Sequence, residues 1–277
     1  MGHIVIVGTD ETALPPLKQH LVDEGHEVTG AAGSVDAIRT ARRRPIDVLI
    51  TNPAAPVEED LALVEEVQEV RPDARTVVLA PAMSDADVIA AIRAHVFACF
   101  TAPFDEIEIA DMTRTALKAS HWKDGIEVVS ALPRWITLRV CCRLLTADRL
   151  TRFMTEWRSD LPSEERDRLM MAFRELLLNA MEHGAGFDPE KVIQVTAART
   201  ARAIVFHFKD PGNGFDRADL NHAARSAHPD EAISVLERRE DAGLRPGGFG
   251  LLIARQVVDE LVYNEQGNEV LMIKYTA

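Results

Sequence analysis

The stretch Arg174-Glu-Leu-Leu-Leu-Asn-Ala-Met-Glu-His-Gly184 decides how the second half of this 277-residue chain is read. At 100° per residue it continues a helix that opens near Ser163, whose hydroxyl can cap the first turn while Glu164, Glu165 and Asp167 face the positive end of the helix dipole. Gly184 stands where a C-terminal cap would. Leu169, Phe173, Leu176 and Ala180 fall on one stripe, which predicts a face packed on a core. Glu175 and Asn179 lie together, one turn apart and roughly 80–120° from that stripe. Arg168 shares their edge, and His183 falls between that edge and the stripe. Two oxygen-bearing side chains at the rim of a core can hold a ligand between helix and sheet, although a solvated helix flank has the same pattern.

The residues downstream favour the ligand. Ala203–Lys209 reads as a strand that runs into Asp210-Pro-Gly-Asn-Gly-Phe215. A carboxylate only accepts hydrogen bonds, and glycines after it let backbone come close, a combination suited to an exocyclic amine such as that of adenine. Further on, Gly247-Gly248-Phe249-Gly250 precedes the helical Leu251–Leu261, and glycines opening a helix N-terminus make an anion site. Neither piece is a Walker loop or a dinucleotide fingerprint. Alone, each could be a turn or a hinge; their order is what carries weight.

The combination, from about residue 134 to 275, resembles the GHKL (histidine-kinase-like) ATPase domain shared by gyrase, the Hsp90 chaperone, histidine kinases and MutL. Residues 174–184 are most similar to the anti-sigma-factor serine kinases. The resemblance implies a Bergerat-type α/β sandwich with a mixed sheet. It further implies ATP and Mg²⁺ as cofactors, with Asn179 on the metal and Asp210 on adenine in a pocket shaped by Gly212, Gly214 and Phe215. By the same carry-over His183 adjoins the nucleotide, Gly247, Gly248 and Gly250 wrap the phosphates, and Glu175 is the general base on a protein Ser or Thr hydroxyl. Residues 216–245 would be a lid with a helix near Glu231–Arg239, since about 30 residues is long for a structureless loop.

The first half alternates short apolar runs, Ile4–Val7, Val48–Ile50, Val77–Leu79 and Val96–Phe100, with helical patterns near 11–24, 34–44, 58–70 and 84–94. A weaker strand at Glu27–Ala31 and a last helix near Glu106–Ala119 complete a flavodoxin-like, doubly wound parallel sheet. Function in such a sheet is expected at the carboxyl ends of its strands. The order of elements and the Thr101-Ala-Pro-Phe-Asp105 segment resemble the receiver domain of two-component response regulators. That resemblance implies an acidic pair, a phosphoacceptor Asp, a hydroxyl and a Lys after successive strands. Here Gly8 and Thr9, Asn52, Ala80 and Ala102 stand in those places. A hard cation needs oxygen donors and an amide is no phosphoryl acceptor, so this half reads as a pseudo-receiver for docking or regulation. Asp10 and Asp47 are the substitute acceptors open to it.

Length suggests two domains: residues 1–120, a linker 121–133 and residues 134–277. The charge balance agrees, with 20 acidic against 10 basic residues up to Ser120 and 24 against 21 beyond it. A net charge of -13 repels phosphodiester backbones and argues against nucleic-acid partners. No run approaches the length of a membrane span, no signal peptide is read at the start, and a cytoplasmic location is expected. Cys99, Cys141 and Cys142 are odd in number and offer no disulfide framework. His121 lacks the residues that accompany a phosphorylated histidine. The reading is an anti-sigma-type Ser/Thr kinase whose partner is an antagonist or sigma factor, with a possible homodimer. A non-catalytic nucleotide-dependent sequestering module and a histidine-kinase-like phosphorelay component stay open beside it.

Overall fold

The computed structural model describes residues 2–8, 15–119, 124–132, 134–157, 161–214 and 250–276. The chain divides into two compact units, residues 1–124 with 152–160, and residues 125–151 with 161–277.

In the first unit, β1 (His3–Val7), β2 (Glu27–Ala31), β3 (Val48–Ile50), β4 (Arg75–Ala80) and β5 (Ala98–Thr101) alternate with α1 (Pro15–Asp23), α2 (Ser34–Arg43), α3 (Val57–Val70), α4 (Asp85–Arg93) and α5 (Glu106–Lys118). The sheet is parallel in the order β2-β1-β3-β4-β5, the flavodoxin-like arrangement. Every residue of β1 and β3 is buried, because helices cover both faces of such a sheet and leave no polar side. Ser84 caps α4 in a full capping box with Asp87, and Asp105 caps α5 by accepting from Ile107 and Glu108. Residues 152–160 also belong to this unit. There the Thr101 hydroxyl donates to Glu156 at 2.5 Å, and the Arg152 guanidinium lies 4.5 Å over the Phe100 ring.

The second unit is one six-stranded sheet with helices. It holds β6 (Ile126–Leu132), β7 (Trp135–Cys141), α7 (Ser163–Asn179), β8 (Val192–Arg199), β9 (Ala203–Lys209), α8 (Gly250–Val257), β10 (Glu260–Tyr263) and β11 (Glu269–Tyr275). Helix α6 (Leu144–Glu156) follows β7. Strand order is β10-β11-β9-β8-β7-β6. All five pairings are antiparallel, where a mixed sheet was expected: β6–β7, β8–β9 and β10–β11 pair as neighbours in sequence, and the longer connections also arrive antiparallel. The sequence reading leaves Ile126–Leu132 without an element, yet it is the edge strand β6. Its burial is irregular, with a register shift between Val128 and Ser130, which blurs the period-2 signal.

The expected N-cap of α7 is displaced. Pro162 is the N-cap residue of α7 and makes no side-chain cap, so Ser163 is the first helical residue. Among the described residues no helix is long and apolar enough to cross a membrane. The three cysteines are free; burial pushes Cys99 up to about 12 and Cys142 up to about 11.

Candidate nucleotide site

Helix α7 is set against the sheet by one aromatic side chain. Phe173 is fully buried, with its ring centroid 4.9 Å from Phe206 and 5.1 Å from Phe208 on β9. Burial of such a ring contributes about 2–3 kcal/mol, and offset or edge-on ring pairs add to it. Leu169, Leu176 and Ala180 are buried with it, as the apolar stripe requires, and Met170, Ala172, Leu177 and Leu178 widen the face. The stripe therefore fixes the rotation of α7 and leaves Glu175 and Asn179 partly buried at its rim. Among the described residues the Asn179 carboxamide has no hydrogen-bond partner, which leaves its oxygen open to a ligand.

After Asn179 the chain does not stop. It continues through a π-helical turn, Ala180–Gly184, a distortion that is frequent at functional sites. His183 is exposed on this turn. Gly184 does not play the part of a left-handed cap: it is still helical, and positive φ comes later, at Gly186 and Phe187. What requires a glycine there is contact. A Cβ at position 184 would collide with the carboxyl carbon of Asp210, so the end of α7 and the end of β9 meet with nothing between them.

Asp210 follows β9 directly. Its backbone N–H donates to the Asn268 carbonyl at 3.0 Å, and its Oδ1 accepts from the Gly212 N–H at 2.8 Å. Burial raises its pKa; the Gly212 N–H and the nearby His183 act against that, while Glu269 adds to it. Glu269 is itself occupied by Lys209 (2.9 Å) and His207 (3.0 Å), and the Lys209 hydrogen bond holds its carboxyl below the usual range. Among the described residues nothing donates to Oδ2 of Asp210, so that oxygen remains an acceptor. Gly214 has φ +77° and lies against the Gln266 carbonyl, where no side chain could stand.

Of the residues expected at the site, Glu175, Asn179, His183, Asp210, Gly212 and Gly214 belong to this one unit. Gly184 ties the helical group to the Asp210 loop. Gly250 opens α8, which packs against α7. Phe215, Gly247, Gly248 and the whole expected lid lie outside the described residues. The sequence reading missed Gln266 and Asn268, which abut the Asp210 loop, and Asn264, which holds their turn together; the signal available was the turn-forming Asn264-Glu-Gln-Gly-Asn268 between two strand patterns.

These donors suit the group they are expected to hold. A free carboxylate oxygen at a strand end matches an exocyclic amine. A carboxamide oxygen one turn beyond Glu175 matches Mg²⁺, which is commonly held by one or two protein oxygens together with substrate phosphates. Accordingly, no cluster of three His, Cys, Asp or Glu is needed, and none occurs among the described residues.

The strand ends of the first unit look different. Asn52, after β3, uses its Oδ1 to accept from Ala54 N–H at 3.1 Å and rests against Gly8. Asp47 lies at the opposite, amino end of the strands, where its carboxylate accepts from His3 N–H at 2.7 Å; it is a brace for β1 and not a substitute acceptor. Thr9, Asp10 and His121 lie outside the described residues.

Residues 143–274 match the family model described as Histidine kinase-like ATPase domain. The chain is 26% identical over 137 residues to the transcriptional regulatory protein GlrR of Escherichia coli, covering 47% of this chain and 31% of that protein. It is 27% identical over 115 residues to the serine-protein kinase RsbW of Oceanobacillus iheyensis, covering 41% of this chain and 68% of that relative. A solved CheY-like response regulator receiver domain from Methanospirillum hungatei covers 42% of this chain and 94% of its own, at 21% identity and a TM-score of 0.39. The chain thus spans less than a third of the length of GlrR.

Proposed function

We propose, for a chain that joins a receiver-like unit to a histidine kinase-like ATPase domain, that the second unit binds Mg-ATP and phosphorylates a Ser or Thr hydroxyl of a protein partner. The partner class is an anti-sigma antagonist or sigma factor, a reading supported by the similarity to a serine-protein kinase. The first unit docks or regulates and is not itself phosphorylated.

The observation that carries this reading is the direct contact of Gly184 with Asp210. It brings a helix rim bearing Glu175 and Asn179 to a loop built for a base with an exocyclic amine. Asp210 accepts from that amine, and Gly212, Gly214 and Phe215 are assigned to the pocket around the ring. Gly247, Gly248 and Gly250 offer backbone N–H groups to the phosphates at the start of α8. Asn179 gives an oxygen to Mg²⁺, which when bound neutralises phosphate charge. Glu175, one turn away, takes the proton of the attacking hydroxyl.

The test is calorimetric titration of ATP with and without Mg²⁺ into the wild type, Asn179→Ala and Asp210→Ala, followed by labelling of candidate partners with γ-labelled ATP. Binding that depends on Asp210, with a Mg²⁺-dependent part lost in Asn179→Ala and label transfer lost in Glu175→Ala, is the expected result. Binding without transfer to any partner assigns the chain to a nucleotide-dependent sequestering module instead. Absence of ATP binding in the wild type overturns both readings.

A further inference from the structure

We propose that the β10–β11 turn, through Asn264 and Asn268, positions the Asp210–Gly214 loop and so sets the preference of the site for an aminopurine. The inference rests on the reading of Asp210 as the acceptor of an exocyclic amine. The turn and the loop touch at every second loop residue. Asp210 donates its N–H to the Asn268 carbonyl, the Gly212 carbonyl accepts from Asn268 Nδ2 at 3.3 Å, and Gly214 lies against the Gln266 carbonyl.

The direction of both amides follows from their partners. Asn264 faces three backbone donors, the N–H groups of Gly267 (2.8 Å), Asn268 (3.1 Å) and Glu269 (3.1 Å), and only its Oδ1 can accept them. Its Nδ2 is therefore turned to Asn268, and donates to Oδ1 there at 2.8 Å. Asn268 must then present its own Nδ2 outward, to the Gly212 carbonyl. Gly212 in turn holds Oδ1 of Asp210 with its N–H. One side chain thus organises the turn, a second carries that order across to the loop, and the loop aims the carboxylate. Recognition by a single carboxylate depends on placement to within about 0.5 Å, which is what such a relay supplies.

The experiment uses the full chain and two nucleotides, ATP and purine riboside triphosphate, which lacks the 6-amino group. Affinities are measured calorimetrically for the wild type, Asn268→Ala, Asn264→Asp and Asp210→Ala, with amide exchange of residues 210–214 followed in the nucleotide-free protein. Asn264→Asp keeps an oxygen that accepts the three turn amides and replaces the donor to Asn268 by a charged acceptor, so it reverses the relay at Asn268 while the turn keeps its backbone acceptor.

The expected result is that Asn268→Ala binds ATP about fivefold more weakly, the loss of one hydrogen bond, with little change for the purine nucleotide. Asn264→Asp shifts the same way, and Gly212 exchanges faster in both. ATP preference and Gly212 exchange that stay at wild-type values overturn the proposal. Equal weakening of both nucleotides also overturns it, since that is what a general loss of stability does. A wild type without preference for ATP, or an Asp210→Ala variant without effect, overturns the adenine reading and with it the assigned preference; Gly212 exchange then reports on the relay by itself.

Discussion

Gly184 and Asp60 show how much one residue can decide. A methyl group at position 184 meets the Asp210 carboxyl and has no free volume to enter. Gly184→Ala is expected to lower the stability of the second unit by about 1–3 kcal/mol, the cost of overpacking. It is also expected to weaken ATP binding by about tenfold, equivalent to ~1.4 kcal/mol; unfolding and ATP titrations on the same variant check both. Asp60 is 3% exposed and accepts from the Thr51 hydroxyl at 2.8 Å. Burial raises its pKa to about 6, against the Thr51 hydroxyl and the Asn52 N–H, which lower it, and with the neighbouring Glu59 adding to the rise. The folded state therefore holds this proton more tightly than the unfolded chain. Its contribution to stability is full below about pH 4 and is lost as pH rises through about 6, a change of roughly 3 kcal/mol. Calorimetric unfolding across that window should show the decline in the wild type and a flatter profile in Asp60→Asn.

At the scale of elements, α7 is the helix on which the site depends, and Phe173 is what seats it. Phe173→Ala removes the ring that meets Phe206 and Phe208. The expected destabilisation is about 3–5 kcal/mol, read from urea unfolding of the second unit, and a loss below about 1 kcal/mol would show that α7 is held elsewhere. The apolar stripe of this helix was legible in the sequence because burial on one face repeats every 3.6 residues. Its ends were less legible, since Pro162 and the π turn at Ala180–Gly184 are settled by what the chain packs against. The same holds for α8, which ends at Val257, after which Glu260–Tyr263 turns into the edge strand β10.

For the whole molecule, two compact units carry different chemistry. In the first, Asn52 is engaged in its own turn and rests on Gly8, with no carboxylate from either to hold a cation. Incubation with acetyl phosphate and Mg²⁺ is expected to leave this unit unlabelled. Asn52→Asp alone should not restore labelling, because the acidic partner that Mg²⁺ requires is missing at Gly8. Stable acyl-phosphate on the wild type, detected by mass spectrometry, would contradict the docking role assigned to this unit.

The sequence by itself determined the alternation of strands and helices in the first unit, the apolar face of α7 and the chemical types gathered at the site. Each of these is written in local periodicity or in the identity of a side chain. The tertiary structure decided what lies next to what: that Gly184 is small for the sake of Asp210, that Asp47 braces the far end of the sheet, and that all five pairings around β6–β11 are antiparallel. It also brought Asn268 to a loop far earlier in the chain, 56 positions away at Gly212. Contacts between residues so far apart leave no period in the sequence, because they arise only when β9 and β11 pair and carry their ends together.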